Sequence, residues 1–105
     1  MGTFMEGKVC ACALSFFDVM TAREELRKAV LSGKGRDARE WLRKLRERLD
    51  FLERDCGIDV SFEKEKLDEI LRIPPWKEEK TITSAKEFLR AENIMEKIIK
   101  CEKGY

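Results

Sequence analysis

Ala38, Leu42, Leu45, Leu49, Leu52 and Cys56 follow one another at steps of 4, 3, 4, 3 and 4 residues. The alternation averages about 3.5 residues, so on an α-helix all six side chains fall along one line, and such a line has to lie against a partner helix. A strand cannot use this pattern, because its side chains change face at every residue. Asp37-Ala38-Arg39-Glu40 has the form of a capping box at the start of this helix, and Gly57 stands where a left-handed cap suits glycine. The seam covers fewer than three heptads, which predicts an antiparallel helix pair rather than an extended coiled coil. Ser32-Gly33-Lys34-Gly35-Arg36 is short enough to turn this helix directly back on the one before it.

That preceding segment is unusual. Thr3-Phe4-Met5-Glu6 has capping-box form, and the next stop is Ser32-Gly33, so the first helix is expected to run over 4–31, roughly 42 Å. Within 9–20 only Ser15 and Asp18 are polar. The stretch has few β-branched residues and several Ala, Leu and Met, which favours helix over a buried strand. Farther along, Ser61 can cap a shorter helix ended by Pro74-Pro75, and Ser84-Ala85-Lys86-Glu87 opens a last one carrying Phe88, Leu89, Ala91, Ile94, Met95, Ile98 and Ile99. The expected fold is all-α: four helices at about 4–31, 37–55, 62–72 and 85–102 in one bundle-like domain over 1–105 with a long apolar first helix.

A helix apolar on all sides must be covered on all sides. The chain has 105 residues and a mass of 12.3 kDa. Size scaling gives such a chain roughly 6,100 Å² of folded surface, with about two-thirds of the unfolded surface buried. The other three helices are ordinary amphipaths with one apolar stripe each, so a second copy is expected to complete the cover of the first helix, in an intertwined or face-to-face homodimer. Phe16 and Phe17 on the first helix, with Trp41 and Phe51 off the leucine seam of the second, are the candidate dimer contacts.

The chemistry open to the chain is narrow. It has no His, which removes His-based triads, His general acid-base catalysis, His-containing zinc sites and the Glu-x-x-His ligands of di-iron bundles. Lys and Arg number 22 against 21 Asp and Glu, a balance of +1 unlike that of a strongly basic nucleic-acid binder. Gln is absent and Asn93 is the sole asparagine, a bias similar to that of hyperthermophile proteins. The start lacks the basic residues of a signal peptide and the apolar run is about half a membrane span, so a soluble cytoplasmic protein is expected, with no membrane contact. Cys10-Ala11-Cys12 lacks the Cys-x-x-Cys spacing of metal and redox sites. The cysteines are expected as small core residues, with a disulfide involving Cys56 or Cys101 as the alternative.

Three further patterns carry weaker signals. Ser32-Gly33-Lys34-Gly35-Arg36 precedes a helix but lacks the Walker spacing, and is expected to be a tight turn. Arg36, Arg39, Arg43 and Arg46 follow helical spacing beside Trp41 and could track a phosphate backbone, although Glu40, Glu47 and Asp50 are interspersed as i, i+4 partners of a solvated face. Asp50-Phe51-Leu52-Glu53 and Glu65-Lys66-Leu67-Asp68 resemble the magnesium-binding pairs of all-α nucleoside-triphosphate pyrophosphohydrolases, with Asp where that family has Glu. About four acid pairs at i, i+3 are expected by chance in so charged a chain. Four occur, at 37/40, 47/50, 50/53 and 65/68, so the spacing carries no excess signal. The expected function is a non-catalytic helical interaction or adaptor module, homodimeric, with a protein partner and with no cofactor or metal. A weak nucleic-acid-associated protein is the alternative, and a magnesium-dependent enzyme the distant one.

Overall fold

The computed structural model describes the backbone of residues 2–103 and the side chains of residues 13–100. Five helices account for nearly all of it: α1 (Gly2–Leu31), α2 (Gly35–Cys56), α3 (Ser61–Leu71), α4 (Glu78–Ala91) and α5 (Ile94–Lys103). Among the described residues there is no strand, and no helix is long and apolar enough to cross a membrane.

The leucine seam forms as expected. Ala38, Leu42, Leu45, Leu49 and Leu52 are fully buried and Cys56 nearly so. They lie against α1, whose inward line is Phe16, Val19, Ala22, Leu26, Ala29 and Val30. The turn between the two helices closes because Gly33 takes a φ of 68°. Its N–H donates to the Val30 carbonyl at 3.1 Å, and the Lys34 N–H reaches back to that of Ala29 at 3.0 Å. This reciprocal closure satisfies carbonyls that a helix end otherwise leaves open. Gly57 ends α2 with a φ of 66° and its N–H on the Glu53 carbonyl. The central helix is α2, which packs on α1, α3 and α4, whereas α1 touches α2, α4 and α5.

Within the single chain the first helix is covered in part: Phe16 and Val19 are buried, Leu14 and Phe17 are 73% and 70% exposed, and the side chains of Val9, Cys10, Ala11 and Cys12 lie outside the described residues. Two expectations need correction. Ser61 opens α3 but does not cap it; the Asp59 carboxylate accepts the Ser61 N–H at 3.0 Å in its place. The expected helix over 85–102 is two helices. Its first part, α4, already starts at Glu78, and the chain breaks at Glu92, which is extended with ψ at 151°.

The break is held by tertiary contacts. The buried Glu92 carboxylate accepts from Arg23 Nε of α1 at 2.5 Å and from the Ile94 N–H at 2.7 Å, so one side chain anchors α1 and opens α5. Glu63 of α3, 1% exposed, accepts from the Asn93 N–H at 3.2 Å and from Lys97 Nζ at 2.8 Å. With these anchors set, Ile94 and Ile98 turn into the core while Met95 and Ile99 stay outside.

Candidate interaction surface

Because the inward line of α1 passes through Phe16 and Val19, Leu14 and Phe17, three residues apart and roughly 130–190° round the helix from the middle of that line, face outward together. On α2 the seam residue Leu52 points in, which places Phe51 on the flank facing the same side, 45% exposed. Leu14, Ser15, Asp18, Arg48, Phe51 and Asp55 line a shallow depression of about 350 Å³ between the two helices. Arg48 Nη1 donates to the Asp18 carbonyl at 3.2 Å, laying its guanidinium across the α1 backbone. The Arg54 guanidinium stands 4.7 Å from the centre of the Phe51 ring and orients it through a cation–π contact. The result is an apolar patch with both signs of charge at its rim.

The four candidate dimer contacts separate. Phe51 lines this depression, Phe17 is exposed on the same helix as Leu14 without lining it, Phe16 is spent in the core, and Trp41 is half-buried against the core with Lys44 Nζ 4.4 Å above its ring. Leu14 and Arg48 were not among the candidates. Leu14 was hidden in a run that reads as apolar everywhere, and Arg48 in a helix where basic residues are common.

The arginine stripe separates in the same way. Arg39 is turned to α3, where Nη1 donates to the Ile73 carbonyl and Nη2 to that of Leu71, each at 2.7 Å, closing the end of that helix. Arg46 grips Asp68 through Nε at 2.8 Å and Asp50 through Nη1 at 2.8 Å. Arg43 lies 3.6 Å from Glu40, and Arg36 is exposed at the start of α2. Only Arg36 and Arg43 therefore present their charge mainly to solvent.

The carboxylates singled out by spacing do converge in part. Asp50 and Glu53 on α2 face Asp68 on α3, but Lys64 Nζ sits between the first two, 3.0 Å from Asp50 and in direct contact with Glu53. Lys64 holds the Asp50 and Glu53 carboxyls below their ordinary range, and those two acids raise the lysine in turn. A protein ammonium and the Arg46 guanidinium thus occupy the space a cation would take. Glu65 is exposed outside this cluster. Among the described residues no group of three or more His, Cys, Asp or Glu is placed to hold a metal ion.

Cys56, expected first as a plain core residue, is buried and disulfide-bonded, which is the alternative weighed for it. Cys10, Cys12 and Cys101 lie outside the described side chains. Comparison with known proteins returns no matching family model, no matching curated protein and no matching solved structure.

Proposed function

We propose that this chain is a non-catalytic helical interaction module that associates with a second copy of itself across the α1–α2 face. The observation that carries the reading is the exposure of Leu14 and Phe51 on one depression, with Phe17, also exposed, three residues along α1 from Leu14. A large apolar side chain covers on the order of 150–250 Å² when buried. Three of them, partly covered already, offer on the order of 400 Å², about half of what each partner contributes to a stable interface. Asp18 and Arg48 at the rim suit a two-fold arrangement, in which each surface meets a copy of itself and every acid can find a base.

The test is the mass in solution. Light scattering at tens of micromolar should report twice the 12.3 kDa chain mass. Phe17→Glu and Phe51→Glu should return it to the single-chain mass with the helical circular-dichroism signal unchanged, since both side chains lie outside the core. A single-chain mass for the unaltered protein would end this reading.

A further inference from the structure

The disulfide at Cys56 has three candidate partners in the chain, Cys10, Cys12 and Cys101. Two cysteines can be bridged only where their Cα atoms come within about 7 Å of each other. Helix register decides among the three.

The tight turn at Gly33 sets α1 and α2 antiparallel, so each step back along α1 matches a step forward along α2. Arg48 reaches the Asp18 carbonyl, and the depression ends at Leu14 on one wall and at Asp55 on the other. Carried onward, these two pairings bring Cys56 level with positions 10–13 of α1. Helical phase then separates Cys10 from Cys12. The inward line of α1 passes through Phe16 and Val19, and position 12, about one turn before Phe16, continues it. Position 10 is about 200° round the helix from position 12, on the side away from α2. Position 101 is in phase with the buried Ile94 and Ile98, but α5 packs on α1, whereas α2 packs on α1, α3 and α4.

We propose that Cys12 and Cys56 are bonded to each other and that the bond is a staple fixing the open end of the α1–α2 face. The helix α2 ends at Cys56, while α1 continues back to Gly2, about 15 Å beyond position 12. The pair is thus the last level at which the two helices lie side by side. Asp55 adjoins Cys56 and Leu14 stands two residues from Cys12, so the bond joins the two walls of the depression where it ends. A cross-link between residues 44 positions apart also removes many open arrangements from the unfolded chain. Cys56 is 7% exposed, which suits a structural bond, since cysteines that exchange disulfides as their task stand open to solvent. A dithiol can undo the bond when that end frays: it gives up two electrons and two protons, its own sulfurs join, and Cys12 and Cys56 become thiols. The staple lies within one chain and does not depend on self-association.

Trypsin digestion of the full chain, purified without reductant and with its thiols blocked, separates the candidates. Cys12 falls in fragment 9–23 together with Cys10, Cys56 in 55–64 and Cys101 in 101–103. Mass spectrometry should find 9–23 joined to 55–64 in the unaltered protein and in Cys10→Ser, and both should migrate at the single-chain mass in non-reducing denaturing gels. In Cys12→Ser the joined fragment should be missing. The first two proteins decide the pairing even if Cys12→Ser fails to fold. Reducing the unaltered protein should speed amide exchange at least about tenfold at 14–18 and 51–55, with less than about a twofold change beside Gly33. No joined fragment, a bond from 55–64 to 101–103, a joined fragment that survives Cys12→Ser or is lost in Cys10→Ser, or a joined mass of two chains would overturn the pairing. Exchange at 14–18 and 51–55 that ignores reduction would overturn the staple.

Discussion

Gly35 illustrates how much a single position can decide. It opens α2 and is buried, and a Cβ placed on it would come within 2.6 Å of the Glu78 Cβ at the start of α4. Alanine would ordinarily gain about 1 kcal/mol in a helix over glycine, while overpacking costs about 1–3 kcal/mol. The clash is with a Cβ, which cannot swing aside, so we expect Gly35→Ala to lower the melting temperature. Adding Glu78→Gly should restore it, and Glu78→Ala should not. Glu63 sets a second expectation. It is enclosed with Lys97 as its ion-pair partner, so Lys97→Met should cost about 3–5 kcal/mol in urea unfolding by stranding a buried carboxylate. Glu63→Leu combined with Lys97→Met should recover much of that loss. The adjacent phenylalanines provide a third comparison: Phe16→Ala should cost about 3–5 kcal/mol, while Phe17→Ala, 70% exposed, should cost the folded chain far less.

Among the elements, α2 and α3 share the buried core through the leucine seam, Leu67 and Ile70, and are linked outside it by charge, through Arg46, Asp50, Glu53, Lys64 and Asp68. Depressed carboxyls at Asp50 and Glu53 stabilise the fold above the ordinary carboxylate range, about pH 4–5, and that contribution fades as pH falls through their lowered values. The raised Lys64 acts oppositely: its contribution is complete below about pH 10 and is lost only as pH climbs through the raised value. Lys64→Met should therefore flatten the loss of stability between about pH 5 and pH 3, measured by urea titration at each pH, with the difference shrinking in salt because these groups are well solvated. Parallel pH curves would show that the network contributes nothing. The elements themselves were legible to different degrees. The seam of α2, its Gly57 cap and the proline stop after α3 are local signals, and the structure follows them, whereas the capping box expected at Asp37 to Glu40 lies inside α2, which starts at Gly35 after Lys34. The start of α4 was missed because Glu78 to Ser84 has little apolar periodicity and Ser84 offers a convincing capping box inside the helix. The break at Glu92 had no local signal, since Glu and Asn93 do not stop helices as proline does; it exists because Arg23 and Glu63 bind there from distant parts of the chain. For the same reason Phe17 and Phe51 could be picked out as aromatics, but their separation from Phe16 and Trp41 depended on where α1 and α2 turn against each other.

At the scale of the molecule, the accessible surface of 6782 Å² is about a tenth above the roughly 6,100 Å² expected for this mass. The chain measures 53 × 21 × 19 Å, drawn out along one axis, and Leu14, Phe17, Phe51, Phe62 and Trp76 contribute to what is left uncovered. The Arg23–Glu92 contact reaches across this body between residues 69 positions apart. Contacts of such separation close large loops and form late, after neighbouring helices such as α1 and α2 have paired through their short turn. Arg23→Ala should then leave the refolding rate nearly unchanged and speed unfolding, so that only the unfolding arm of the chevron moves in stopped-flow experiments. On a ribosome the same order holds in time: the α1–α2 hairpin can collapse while the remainder is still being made, and the latch that fixes α5 cannot close until Glu92 has left the exit tunnel.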